Sequence, residues 1–208
     1  MNIKIIEKFL TEGDLNELSS LQLKNTNRNS VNVYHNEINP KKKIKNDCIK
    51  KKTLERLHES YHPKAIEILQ ELNPSKVHLY DYSEFHIIET GADFKFPIHD
   101  DTPNKLLSGV IYLKPKNNNG TVFYTNKKGD GKKEIEWKIN RAVFFSRAER
   151  TTWHSYQGDG KSNRIVLVYN LMTKRIKEVF KVENKNFIVG NLRYKLNPYI
   201  YRFFKKTI

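Results

Sequence analysis

Cysteine, methionine and tryptophan are scarce in this sequence of 208 residues, with one, two and two copies respectively. The single cysteine, Cys48, excludes a disulfide within the chain and fits a reducing compartment. No run approaches the roughly 20 apolar residues that a membrane-spanning helix needs. Lys4, Glu7 and Lys8 interrupt the start, where a signal peptide would be apolar. These absences predict a soluble, cytoplasmic protein.

Acidic residues are too few to balance the basic ones, since 38 Lys and Arg face 23 Asp and Glu and give a formal net charge of +15. Residues 41–52 carry a net +6 and residues 173–208 a net +8, so the rest of the chain is almost neutral. Nucleic-acid binding typically needs a basic groove interleaved with aromatic residues, and the nearly neutral part shows none. The composition therefore does not favour nucleic acid as a partner.

The distribution of apolar residues predicts one domain, residues 1–208, in three parts. Residues 1–76 form an N-terminal helical support region with a basic loop, residues 77–172 a strand-rich catalytic core, and residues 173–208 a basic, aromatic C-terminal extension. Turns rich in Asn and Gly divide the core into short strands. The predicted fold is mainly β with flanking helices: a double-stranded β-helix, or jelly roll, with the N-terminal helices packed on one face.

Local sequence signals predict the secondary-structure elements of the N-terminal support region. Ile3 and Ile5 predict a short strand, and Thr11 is a suitable N-cap for a helix that runs to about Leu21. Residues 22–50 are rich in Asn and Lys and lack helical periodicity, so they predict a long loop near the functional site.

A zinc-peptidase signature occurs in the same region. His58, Glu59 and His62 match H-E-x-x-H, in which one helix presents two histidines to zinc and the glutamate activates water. Pro63 predicts a helix break there, because a residue before proline avoids the α-helical region. The two helices are expected at about residues 53–60 and 63–72. The break would separate the two imidazoles, so this function is the less favoured one.

Four residues form the pattern with the most chemical content. His99 and Asp101 make an H-x-D pair, His154 follows 53 residues after Asp101, and Arg164 comes 10 residues later. Residues two apart on a strand share a face, so His99 and Asp101 can reach one metal while Asp100 points away. Two imidazoles and a carboxylate on one face of Fe(II) leave the other positions open. A buried arginine nearby can hold the far carboxylate of a dicarboxylic acid.

Ordinary structural roles remain open for these residues. A histidine on a strand can be a hydrogen-bonded structural residue, Arg164 can lie on the surface beside Asp159, and Tyr112 can be a core tyrosine. Phe96 and Ile98 precede the H-x-D pair in a predicted strand and are expected on the face opposite the ligands.

From about residue 85 to residue 171, the sequence resembles the Fe(II)/2-oxoglutarate-dependent oxygenases, and within them the prolyl-4-hydroxylase-like branch. Two positions depart from that pattern: Ile88 stands where the family often has Tyr, and Val166 where a Ser or Thr often follows the basic residue. The motifs that carry the resemblance are, in order, Gly91, the H-x-D pair, residues 107–113, 117–120, 121–124 and 141–146, Trp153-His154 and Arg164.

The resemblance implies a dioxygenase that hydroxylates a C–H bond and releases succinate and CO2. Its cofactors would be Fe(II), 2-oxoglutarate and O2, with ascorbate as an auxiliary reductant. His99, Asp101 and His154 would hold the metal, and Arg164 and Tyr112 would bind the cosubstrate. The prime substrate stays open among a peptidyl proline, a small molecule and a sugar.

Other functions and partners are not excluded by the sequence. A jelly-roll module that binds a metal or a partner without turnover is the main alternative. A nucleic-acid demethylase is less favoured, because Asn170 stands where such members of the family usually have a second arginine. Arg147, Glu149 and Arg150, just ahead of the second histidine, are expected to line the substrate entrance.

Aromatic and basic residues interleave in the C-terminal extension, from Arg193 to Lys206. We expect this extension to pack on the barrel. An anionic membrane surface and an acidic partner are the alternatives.

Overall fold

The computed structural model describes residues 3–24, 26–41, 44–196 and 206–207. The strands are β1 (Ile3–Ile6), β2 (Val31–Tyr34), β3 (Asn36–Ile38), β4 (Ile44–Asn46), β5 (Tyr82–Thr90), β6 (Lys95–His99), β7 (Lys105–Lys114), β8 (Val122–Tyr124), β9 (Lys133–Glu134), β10 (Ala142–Phe145), β11 (Trp153–Gln157), β12 (Arg164–Met172) and β13 (Lys206–Thr207). The helices are α1 (Glu12–Ser19), α2 (Lys51–Leu72), a 3-10 helix (Pro74–Leu79), α3 (Ile176–Val182) and α4 (Phe187–Leu196).

Two sheets make up the β structure. The larger sheet has the strand order β1-β10-β7-β12-β5-β2-β13, with β3 attached to β5 and β4 to β3. The smaller sheet has the order β6-β11-β8-β9. Strand β13 is parallel to β2, and the other pairings among the described strands are antiparallel. The predicted jelly-roll class with flanking helices is confirmed.

Both faces of the larger sheet are buried at its central strands, which explains why β7, β10 and β12 are almost continuously apolar. In β10, Ala142 and Phe144 join the core that contains the apolar side of α2. Val143 and Phe145 join a second core with Phe123 of the smaller sheet. Because successive side chains on a strand alternate, one face of the sheet packs on helices and the other on the smaller sheet.

Helix α2 continues through Pro63, so the predicted break into two helices is wrong. Leu57, Tyr61, Ala65 and Ile68 are buried at helical spacing on both sides of the proline. An interior proline costs about 3 kcal/mol, whereas each fully buried Leu or Ile stabilises by about 1.5–3 kcal/mol. Packing of the continuous apolar stripe therefore outweighs the local penalty.

The intact helix places His58 and His62 one turn apart, with ring centroids 4.6 Å from each other. The His62 ring also packs against Tyr80 at 4.6 Å, and burial lowers the pKa of His62. Within the described part of the chain, no third His, Cys, Asp or Glu completes a metal-binding group with this pair. The H-E-x-x-H match therefore lacks a ligand set, although its helical geometry is present.

The segment 22–50, predicted as a long loop, contains β2, β3 and β4. Strand β2 pairs with β5 from Val31 opposite Thr90 to Tyr34 opposite Ile87, and all four of its residues are buried. Strand β2 has only 4 residues, so no alternation of apolar and polar side chains stands out within this Asn- and Lys-rich segment. Elsewhere the local signals succeed, since α1 begins after Thr11, whose hydroxyl accepts a hydrogen bond from the Asp14 amide.

Helices α3 and α4 come from the C-terminal extension, and Val179 and Phe180 of α3 are buried. Residues 197–205, which hold most of the interleaved aromatic and basic side chains, lie outside the described residues. No described helix has both the length and the apolar composition for crossing a bilayer.

Replacing Pro63 by Ala should raise the free energy of unfolding by about 1–3 kcal/mol, because the exposed ring is removed from a helix interior that packing already fixes. Urea denaturation followed by circular dichroism measures this change. Glu67→Ala, at another exposed position of the same helix, should change stability by less than about 0.5 kcal/mol. A loss of stability in Pro63→Ala would contradict the explanation.

Candidate metal centre

The two histidines of the sequence pattern face each other across one strand pair. His99 is the last residue of β6 and lies opposite His154 of β11 in the antiparallel register. Their ring centroids are 4.2 Å apart, as expected for side chains directly opposite on neighbouring strands. The sheet register thus joins two residues that are 55 positions apart in the sequence.

Strand β6 contains a bulge that changes which side chains share a face. Phe96 lies opposite Tyr156 and His99 opposite His154, so β6 takes three steps where β11 takes two. The bulge reverses the alternation and brings the Phe96 ring to 4.6 Å from His99, so the prediction of opposite faces is wrong for Phe96. Pro97 has no N–H for a strand ladder, and such residues are confined to edges and bulges.

Asp101 completes the group from the loop after β6. The ligand atoms of His99, Asp101 and His154 all lie within 4.8 Å of one another. Lys105 Nζ donates to Asp101 Oδ1 at 2.7 Å and Ser108 Oγ to Oδ2 at 2.5 Å, both from β7 of the larger sheet. Burial alone would raise the pKa of Asp101, but the charge and the hydrogen bond of Lys105 hold it below its usual range. The carboxylate is therefore charged and fixed across both sheets.

A backbone carbonyl oxygen orients each imidazole of the triad. His99 Nδ1 lies 2.9 Å from the Pro97 carbonyl oxygen, and His154 Nδ1 lies 2.9 Å from that of Thr152. Since a carbonyl oxygen only accepts, each Nδ1 carries a hydrogen, which leaves Nε2 as the ring atom that can bind a metal. Burial, and then the neighbouring His154, lower the pKa of His99 to about 3. Two imidazoles oriented in this way and one carboxylate form a donor set that suits Fe(II).

Asp100 points away from the triad, as predicted, and holds the loop before His154. Its carboxylate accepts hydrogen bonds from Thr152 Oγ1 at 2.5 Å and from the Arg150 amide at 2.7 Å. These bonds tie the segment after His99 to the segment before His154. Adjacent residues of the H-x-D motif therefore differ in role: Asp101 is a candidate metal ligand, and Asp100 holds two loop segments together.

Arg164, the first residue of β12, is 5 % exposed, which excludes the alternative that places it on the surface. Its guanidinium lies 3.9 Å from the ring centroid of Tyr156, and 5.3 and 5.4 Å from those of Tyr112 and Trp137. Its Nη2 donates to Thr121 Oγ1 at 3.3 Å. Among the described residues, Nε has no hydrogen-bond partner and no carboxylate pairs with the guanidinium. A buried cation in an aromatic enclosure is thus left without an anion.

Arg164 shares a cavity of about 100 Å³ with His99 and His154. Most of the wall is apolar and includes Val31 and Val33 of β2. This inner cavity therefore joins one face of the triad to the guanidinium.

The hydroxyl that accepts a hydrogen bond from Arg164 belongs to Thr121, a residue that local sequence patterns did not single out. Tyr112 is fully buried behind it and does not line the inner cavity. The Tyr112 oxygen accepts from the Thr121 amide at 2.9 Å, and its O–H donates to Thr121 Oγ1 at 3.2 Å. The alternation of side chains along a strand could have identified Thr121. It lies two residues before Phe123, whose side chain faces the interior between the sheets, so both are expected on the same face.

A second, outer cleft of about 530 Å³ lies on the other side of Asp101, between the loop before β11 and helix α4. Arg147, Glu149 and Arg150, the three residues expected at the substrate entrance, all line this cleft. Arg147 pairs with Glu183 at 2.8 Å and donates to the Asp101 carbonyl oxygen at 3.3 Å. Asp101 thus stands between the inner cavity and the outer cleft.

Three solved structures of oxygenases are similar to this chain in fold. A Pseudomonas putida prolyl-4-hydroxylase is similar over 83 % of this chain and 92 % of its own, with 14 % identity and a TM-score of 0.56. An oxidoreductase of the 2OG-Fe(II) oxygenase family from Burkholderia pseudomallei matches over 82 % and 84 %, with 12 % identity and a TM-score of 0.55. A Trichoplax adhaerens prolyl hydroxylase, in complex with a peptide of the hypoxia inducible factor, matches over 85 % and 86 %, with 14 % identity and a TM-score of 0.53. No family model and no curated protein matches the sequence. The likeness establishes the double-stranded β-helix fold.

Mn(II) or Co(II) should raise the midpoint of thermal unfolding, because an ion that binds only the folded state stabilises it by about 2.7 kcal/mol at a hundred times its dissociation constant. His99→Ala and His154→Ala should abolish the shift, since each removes a nitrogen donor. His78→Ala, outside the triad, should keep it. A shift that survives in the double variant of His99 and His154 would place the ion elsewhere.

Proposed function

We propose that this protein is a non-haem Fe(II)- and 2-oxoglutarate-dependent dioxygenase that hydroxylates a C–H bond of its substrate and releases succinate and CO2. The fold and the His-Asp-His triad support this function. The observation that carries it is Arg164, a buried cation without an anion that opens into the same cavity as His99 and His154.

The metal would be held by His99, Asp101 and His154, and bound Fe(II) would supply the activation of dioxygen. The protein's own contribution is a pair of imidazoles oriented by backbone carbonyls and a carboxylate whose orientation Lys105 and Ser108 set. Groups held in this way keep the ligand geometry without the metal, which is what a preorganised site requires.

Arg164 would bind the 5-carboxylate of 2-oxoglutarate. An unpaired buried charge costs several kcal/mol, and a carboxylate that enters the cavity offsets this cost with charge-assisted hydrogen bonds. The rings of Tyr156, Tyr112 and Trp137 exclude water around the guanidinium, which strengthens that pairing.

Thr121 would supply a second donor to the same carboxylate. Its Oγ1 accepts from Arg164 and from the Tyr112 hydroxyl, so its own hydrogen is left to donate into the inner cavity that it lines. Tyr112 then acts through Thr121 and not by direct contact. This arrangement replaces the hydroxyls that are missing at Ile88 and Val166.

The prime substrate remains to be identified among a peptidyl proline, a small molecule and a sugar. Two of the similar structures are named as prolyl hydroxylases, one of them with a bound peptide, so a peptidyl proline is one candidate. A jelly-roll module that binds metal without turnover is the alternative function, and the two differ in whether 2-oxoglutarate is consumed.

Succinate should form slowly from 2-oxoglutarate when the protein is incubated with Fe(II), ascorbate and O2, even without a prime substrate. His99→Ala and Asp101→Ala should abolish this formation, and His78→Ala should not. Quantifying succinate by mass spectrometry measures it. If the protein binds metal and 2-oxoglutarate but forms no succinate in the presence of diverse substrates, the non-catalytic module would be favoured.

Arg164→Met should weaken 2-oxoglutarate binding by on the order of a hundredfold, because it removes the buried cation, and Thr121→Val by about tenfold. Calorimetric titration of the Mn(II)-loaded protein measures both. Thr125→Val, an exposed position in the turn after β8, is the matched control and should bind normally. Unchanged affinity in Arg164→Met would contradict the assigned role.

A further inference from the structure

We propose that the outer cleft binds a prime substrate of small-molecule size that carries an anionic group, and that Arg150 pairs with this group. The inference rests on the proposed oxygenase function and narrows its substrate class. It is drawn from the backbone of Arg150, from the charges around the cleft, and from the apolar surface on its walls.

Arg150 adopts a backbone conformation that its residue type disfavours. Its φ is +61°, in the left-handed region that Gly and Asn occupy at lower energy. The conformation is held by the Arg150 amide, which donates to Asp100 at 2.7 Å, and by the Arg150 carbonyl, which accepts from Trp153 Nε1 at 2.9 Å. Neither bond uses the arginine side chain. Strained backbone positions cluster at ligand-binding sites, so the strain at Arg150 draws attention to its side chain.

The guanidinium of Arg150 forms no hydrogen bond or ion pair with any residue in the described part of the chain. Other charges of the cleft are compensated within the protein. Arg147 pairs with Glu183, and Arg193 with Glu149 at 3.2 Å.

Two more charged groups on the cleft wall are also engaged: Asp100 accepts two hydrogen bonds from its own loop, and Lys127 has an interaction of its own. Arg150 is therefore the cation on this wall that is left for a ligand, and its natural partner is a carboxylate or another oxyanion.

Apolar surface borders this cation. The polar atom of Trp153 is already bound to the Arg150 carbonyl, so its indole offers an apolar face. Leu192 and Leu196 of α4 line the opposite side and are 56 % and 70 % exposed. The volume of about 530 Å³ lies in the range of small-molecule sites. A ligand with an apolar body and one anionic end matches these walls, with Asp101 of the triad beside it.

Phenylacetate and its neutral isostere phenylacetamide are suitable probes of this site. The full chain with 5-fluorotryptophan gives one ¹⁹F signal from Trp153 in the outer cleft and one from Trp137 beside Arg164. Trp153→Phe assigns the two signals. Phenylacetate should shift the Trp153 signal, with a dissociation constant on the order of tenfold lower than that of phenylacetamide. A shift of the Trp137 signal instead would reveal binding in the inner cavity and would overturn the proposal.

Three variants test the role of Arg150. Arg150→Gly relieves the backbone strain, so it should fold at least as stably as the natural chain, yet lose the preference for phenylacetate. Arg150→Lys should keep most of that preference. Arg28→Met, which removes an exposed guanidinium outside the cleft, should keep all of it.

Equal affinity for the two probes, no shift at Trp153 with either probe, or a preference that survives in Arg150→Gly would each refute the proposal. The measurement needs neither 2-oxoglutarate nor turnover. Its failure is therefore distinct from a failure of the oxygenase function, which succinate formation tests separately.

Discussion

The register between β6 and β11 is the constraint on which the candidate site depends. It sets His99 directly opposite His154, and a slip by one residue would turn one imidazole out of the shared face. The Asp100 carboxylate adds a second tie, because it binds the loop that leads into β11 through the Arg150 amide and Thr152. The bulge beside Pro97 then determines which neighbours share the face with the ligands. A few backbone pairings thus position the whole donor set.

The two buried charges of this site, Asp101 and Arg164, differ in whether the protein supplies a counter-charge. Asp101 has Lys105 and Ser108 as partners, so its carboxylate is stabilised before any metal binds. Arg164 has aromatic rings and one hydroxyl but no carboxylate among the described residues. The partners of Asp101 fix the geometry of its carboxylate. Because an unpaired buried charge is costly, an anion that pairs with Arg164 would be bound favourably.

The C-terminal extension takes part in the site through a buried ionic cluster. Lys76 and Arg147 both pair with Glu183, which follows α3, and all three side chains are almost fully buried. Arg147 also donates to the Asp101 carbonyl oxygen, so the cluster connects α3 to the loop that carries a candidate metal ligand. The C-terminal extension therefore contributes an acidic residue, Glu183, to this cluster, while α4 provides a wall of the outer cleft.

The sequence by itself determined the β class, the cap at Thr11 and the H-x-D pair with its distant His and Arg, because these depend on local period, turn chemistry and residue type. It failed at Pro63, where buried packing outweighs a local preference, and at β2, which is too short to show a period. Only the tertiary structure decided what lies beside Arg164. Strand register and the meeting of two sheets brought Thr121 to its guanidinium, and no local pattern encodes such long-range contacts.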